Sequence, residues 1–171
     1  LDPANATDWI GYIAAIGFGV VFLFAAQTFG ATIAQSVVEE KQTRVVELLI
    51  SAIPARALLA GKVVGNTILA MGQVVILAAI AVVGLTVTGQ TEFLQGVGGP
   101  IAWFAVFFLF GFVLLAALFA AAAAMVSRQE DIGATTTPLM LLILGPYFLV
   151  IFFWNNPTVL TVMSYVPFSA P

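Results

Sequence analysis

Four long apolar runs, parted by shorter polar stretches, organise this chain: residues 9–34, 64–87, 101–126 and 135–154. A run of about 20 apolar residues, rising 1.5 Å per residue, matches a hydrocarbon core of about 30 Å, so each predicts a membrane-spanning helix. The expected fold is an all-α membrane bundle. Trp9 and Tyr12 open the first run, Pro100 and Trp103 the third, and Trp154 closes the fourth, at ends where aromatic rings favour the bilayer interface. Pro138 and Gly145-Pro146 fall inside the fourth run and predict a kink or break there, because proline removes a backbone donor. Small residues recur four apart at Gly11, Ala15 and Gly19, at Ala57, Gly61 and Gly65, and at Ala116, Ala120 and Ala124. Such stripes let helices approach closely in lipid.

The polar stretch between the first two runs, 35–63, holds an ordered charged island, EEKQTRVVELLISAIPARALLAGK. It contains Lys41, Arg44, Arg56 and Lys62, four of the five basic residues. At helical spacing Glu40, Arg44, Glu47 and Ser51 fall on one side and Val38, Val45 and Leu49 on the other, which predicts a two-faced helix at the membrane surface. Glu40–Arg44 and Arg44–Glu47 are spaced as helix-stabilising pairs. Pro54 separates this helix from one that carries Arg56 and Lys62 into the second span.

Charge then orients the chain. Short cytoplasmic loops retain Lys and Arg, so 35–63 is expected inside. The loops then alternate, placing 127–134 inside with the fifth basic residue, Arg128, while 1–8, 88–100 and 155–171 fall outside with no Lys or Arg. At 62% hydrophobic and 8% charged residues the chain has more apolar surface than a soluble fold hides. Without a basic patch elsewhere, nucleic acid is not an expected partner; the lipid bilayer is.

The chain has no Cys and no His, which removes thiol nucleophiles, imidazole bases and the usual zinc ligands. GVGGP at 96–100 lacks the lysine of a phosphate loop, so any ATP chemistry is expected on another polypeptide. No Asp, Glu, Lys or Arg sits in the middle of a run; Gln27 and Thr28 in the first and Gln73 in the second are the deepest polar residues. They suit either interhelical hydrogen bonds or the lining of a substrate route, with Phe18, Phe22 and Phe24 as further lining.

SVVEEKQTRVVELLISAIPARALLAGKVVG, residues 36–65, resembles the loop after the second membrane helix of ABC-2 type transporter permeases, most closely the sodium-efflux-type branch. Its E-E-K...R-V-x-E-L-L-x-S...L-L-x-G-K-x-x-G pattern is met here from Glu39 to Gly65, and VSRQEDIGATTTPLML (126–141) and NPTVLTVMSYVPFSAP (156–171) agree. The resemblance implies a six-helix permease in a bacterial cytoplasmic membrane, two copies per transporter, each gripped at this loop by a cytoplasmic ATP-binding-cassette ATPase. It implies no enzyme activity and no cofactor on this chain, with ATP and Mg on the partner. It also implies a preceding helix and a following one, so the chain is expected to be a partial transmembrane domain holding the second to fifth helices. The ATPase-coupling interface is expected at Glu39, Glu40, Lys41, Arg44, Glu47, Arg56 and Lys62, and the substrate route at Gln27, Thr28 and Gln73. The expected function is export by alternating access. The alternative is a membrane scaffold or assembly subunit that only docks a cytoplasmic protein.

Overall fold

A computed structural model describes residues 3–42, 54–89 and 91–166. Helix α1 spans Pro3–Gln42, α2 Ala55–Val87, α3 Thr91–Met125 and α4 Ile132–Phe152; a 3-10 turn, Gln129–Asp131, precedes α4, and a short α5, Pro157–Ser164, follows it. Among the described residues four helices are long and apolar enough to cross a membrane, over Gly11–Gln42, Arg56–Val87, Gly98–Met125 and Gln129–Phe152. No strand occurs among the described residues, so the all-α membrane fold predicted from the apolar runs is the fold observed.

The helices outrun the apolar segments that predict them. Helix α1 continues through Glu39–Gln42, and α2 already starts at Ala55, directly after an extended Pro54 (φ −63°, ψ 137°). Proline fits a helix start because the N–H it lacks has no intrahelical partner there. The stretch 88–100, expected as a loop, is mostly the first turns of α3, with Pro100 inside the helix. What remains is a tight turn: the Thr88 N–H and hydroxyl both donate to the Gly84 carbonyl, at 3.0 and 2.8 Å, and Gly89 follows at φ +74°. That left-handed backbone is where glycine ends a helix at least cost. Helix α4 is unbroken from Ile132 to Phe152 although Pro138 and Pro146 lie within it, so of the expected kink or break the break does not occur. Just before Pro138, the hydroxyls of Thr135, Thr136 and Thr137 donate to the carbonyls of Asp131, Ile132 and Gly133, at 3.1, 2.8 and 2.6 Å.

Helices α1 and α3 form the centre, with α2 against this pair on one side and α4 on the other. The buried face of α3 carries Phe104, Phe108, Phe112, Leu115 and Phe119, spaced three or four apart as one helical stripe. It meets Phe18, Phe22 and Phe29 of α1 in ring pairs with centroids 4.5, 5.6 and 6.1 Å apart. The pairs ascend together along both chains, so α1 and α3 run parallel and end on the same side. Phe18 and Phe22 therefore belong to the core rather than to the lining of a route, whereas Phe24 is 59% exposed.

Glycine decides how close the helices come. A Cβ on Gly30 of α1 would stand 2.8 Å from the Phe119 ring, and one on Gly19 would stand 2.7 Å from the Tyr147 ring of α4. At the far end the Trp154 ring lies over Gly11 and edge-on to Tyr12, with centroids 5.4 Å apart. The predicted Gly11–Gly19 stripe is thus a packing surface, whereas Gly61 and Gly65 have nothing within 4 Å. The buried run Ala26, Gly30, Ala34 has the same four-residue spacing and is the one the sequence reading overlooked.

Candidate functional site

The described basic residues, Lys41, Arg56, Lys62 and Arg128, gather at one end, by the last described turn of α1, the start of α2 and the end of α3. Helical geometry turns successive residues by about 100°, so neighbours at the end of α1 reach different helices. Glu40 turns to α2, where its Oε2 lies 2.8 Å from Lys62 Nζ. Lys41 turns to α3, where its ammonium donates to the carbonyl of Ala124 and, at 3.0 Å, to that of Val126. Gln42 adds a bond from Nε2 to the Ser127 carbonyl, at 3.2 Å.

Each contact answers a local need. The last four carbonyls of a helix have no partner within it, and the aligned peptides leave partial negative charge at that end. Helix α3 ends beside the last described turn of α1, and the Lys41 ammonium caps that end from α1. Lys62 is only 14% exposed, and its shielded ammonium meets Glu40 as an ion pair rather than as an aligned hydrogen bond. A charge withdrawn from water this far needs an opposite charge beside it. Below this pair Thr67, buried on α2, satisfies its hydroxyl on the Val63 carbonyl at 2.7 Å.

Of the residues expected at the coupling interface, Glu40, Lys41 and Lys62 therefore converge, joined by Gln42, which sequence reasoning did not single out. Its signal was position alone, one step past Lys41 on the same helix. Glu39 and Arg56 are exposed at the same end. Arg44 and Glu47, with the rest of the predicted two-faced helix at 43–53, lie outside the described residues. Arg128 pairs with Glu130 at 3.2 Å on an open surface, where ion pairs contribute little.

The residues expected along a substrate route are not joined. Gln27 and Thr28 are exposed on the same outward side of α1 as Phe24, while Gln73 is half-buried on α2. No hydrogen bond connects them among the described residues; the Thr28 carbonyl instead accepts the Thr32 hydroxyl at 2.7 Å.

Comparison with known proteins bears on what such a bundle belongs to. The family model described as ABC-2 family transporter protein matches residues 2–171. The chain is 29% identical over 184 residues to the uncharacterized protein YhaP of Bacillus subtilis (strain 168), a match covering 99% of this chain and 44% of that protein. It thus spans less than half the length of this curated relative. No solved structure matches it. Four membrane-length helices, a charged cluster at one end and a family match over nearly every residue lead to one assignment: the chain belongs to the ABC-2 family of transporter proteins.

Proposed function

We propose that this chain is the membrane part of an ATP-driven exporter in a bacterial cytoplasmic membrane, working with a separate cytoplasmic ATP-binding-cassette subunit and a second permease copy. The observation that carries this reading is the junction at Glu40, Lys41 and Lys62. It ties the segment leaving α1 to both α2 and α3. A partner that displaces residues 43–53 then pulls on three helix ends at once, a direct way for ATP-driven closure to tilt the spans and alternate access. Glu39, Arg44, Glu47 and Arg56 are the residues proposed to meet the partner. Glu40, Lys41 and Lys62 pass the motion inward. Gln27, Thr28 and Gln73 are proposed to border the substrate's path.

The test uses the full-length permease, co-expressed with a candidate ATP-binding-cassette ATPase from the same organism and reconstituted in proteoliposomes. Reversing charge by Arg44→Glu or Glu47→Lys is expected to release the ATPase, or to cut its stimulation by the permease at least five-fold, with unchanged membrane accumulation. Normal binding and stimulation in both variants would remove this segment from the coupling interface. A bound ATPase that the permease never stimulates would favour a docking scaffold.

A further inference from the structure

Away from the charged end, α1, α2 and the start of α3 splay around a crevice of about 250 Å³. Gly17 of α1 and Ala78 and Ala81 of α2 line the gap, and side chains this small leave it unfilled. Val74 and Phe104 form its buried floor, and Phe104 is stacked on Phe18 at 4.5 Å. Its lips are exposed: Ile13, Leu77 and Val82 are 40%, 37% and 41% accessible. A Cβ on Gly17 would meet nothing within 4 Å. Every lining side chain is apolar.

From this geometry we infer that the crevice holds one acyl chain of a membrane phospholipid. Water is a poor occupant, because a buried water needs two to four polar partners and the walls offer carbon. A further helix is too thick: at about 10–12 Å across it exhausts such a volume within about two residues of its length. A hydrocarbon chain fits. Scaling from an apolar cavity of ~150 Å³ that takes a benzene, the crevice accepts roughly ten carbons. The helices around it are long and apolar enough to cross a membrane, where acyl chains are the abundant apolar solute. An empty crevice forfeits the dispersion contacts that a chain restores. The site contains none of Gln27, Thr28 or Gln73 and does not depend on the exporter reading.

Full-length protein, solubilised in detergent and purified, is examined by native mass spectrometry for retained phospholipid. One phospholipid per chain is expected in the wild type and in Gly72→Leu, whose site on α2 is open and lies outside the crevice. Gly17→Leu and Ala78→Leu fill the crevice and are expected to lower that occupancy at least five-fold with unchanged elution and helical content. Equal retention in the filled variants, or no retained lipid in the wild type, overturns the proposal. Should the filled variants misfold, the wild type in vesicles of phosphatidylethanolamine and phosphatidylglycerol is irradiated with a phospholipid bearing a diazirine on its acyl chain. Adducts concentrated on Phe18, Val74 and Ala78 uphold the site. Adducts no denser there than on the outward-facing Val75, Ile76 and Ile80 refute it.

Discussion

Glu40 on α1 and Lys62 on α2, 22 positions apart in the chain, face each other at 2.8 Å. The pair joins the last described turn of α1 to the second turn of α2. Lys62 is nearly enclosed while Glu40 keeps 32% exposure, so the contact lies between the buried and surface regimes. Removing one member of a fully buried pair costs ~3–5 kcal/mol, and the partial exposure of Glu40 sets the expectation below that.

Lys62→Met or Glu40→Gln alone is therefore expected to lower the thermal midpoint of the detergent-solubilised full-length protein. The exchange of charges, Glu40→Lys with Lys62→Glu, is expected to recover most of the loss. A swapped protein no more stable than either single variant rules out a direct pairing.

Lys41 caps α3 from outside, through the carbonyls of Ala124 and Val126. Charge-assisted bonds contribute about 1.5–3 kcal/mol, and less at an exposed side chain such as Lys41, so Lys41→Met is expected to loosen the last turn of α3 by less than that. Hydrogen-exchange mass spectrometry reads this as faster exchange across 122–127, with Lys41→Arg restoring protection. Unchanged exchange in Lys41→Met means that the cap contributes nothing.

Three glycines rank themselves by what surrounds them. Gly30→Ala presses on Phe119, which is fully buried and has nowhere to turn, so an overpacking loss of about 1–3 kcal/mol is expected. Gly19→Ala presses on Tyr147, which is only partly buried and yields more easily, so the loss is smaller. Gly72→Ala meets nothing within 4 Å and is expected to gain up to about 1 kcal/mol from helix propensity. A different order of thermal midpoints would show that α1 and α3 do not meet at Gly30.

Orientation is testable because the chain has no cysteine of its own. Single cysteines at Gln129, beside the charged end, and at Thr88, in the turn at the opposite end, are both exposed. In intact cells an impermeant thiol reagent is expected to label Thr88→Cys and to spare Gln129→Cys. The reverse pattern inverts the proposed topology.

The sequence by itself determined the number of spans and the all-α fold, because hydrocarbon thickness sets the length of any helix that crosses it and apolar runs of that length have no other use. It also determined which residues are charged at the same end, since only one set of polar stretches carries Lys and Arg. It did not determine which side of each span faces protein. A helix in water shows its buried face by contrast with polar neighbours, but these spans are apolar all round, and lipid tails are as apolar as leucine. Phe22 and Phe24 therefore read alike, although one is buried against Phe108 and the other looks outward. The small-residue stripes Ala26–Gly30–Ala34 and Ala57–Gly61–Gly65 read alike as well, yet only the first is packed. Likewise the charged island named Glu40 and Lys41 together as a surface for a partner. In the tertiary structure Glu40 meets Lys62 and Lys41 reaches the carbonyls at the end of α3, because α1 and α3 run parallel and the partial negative charge where α3 ends favours a cation beside it.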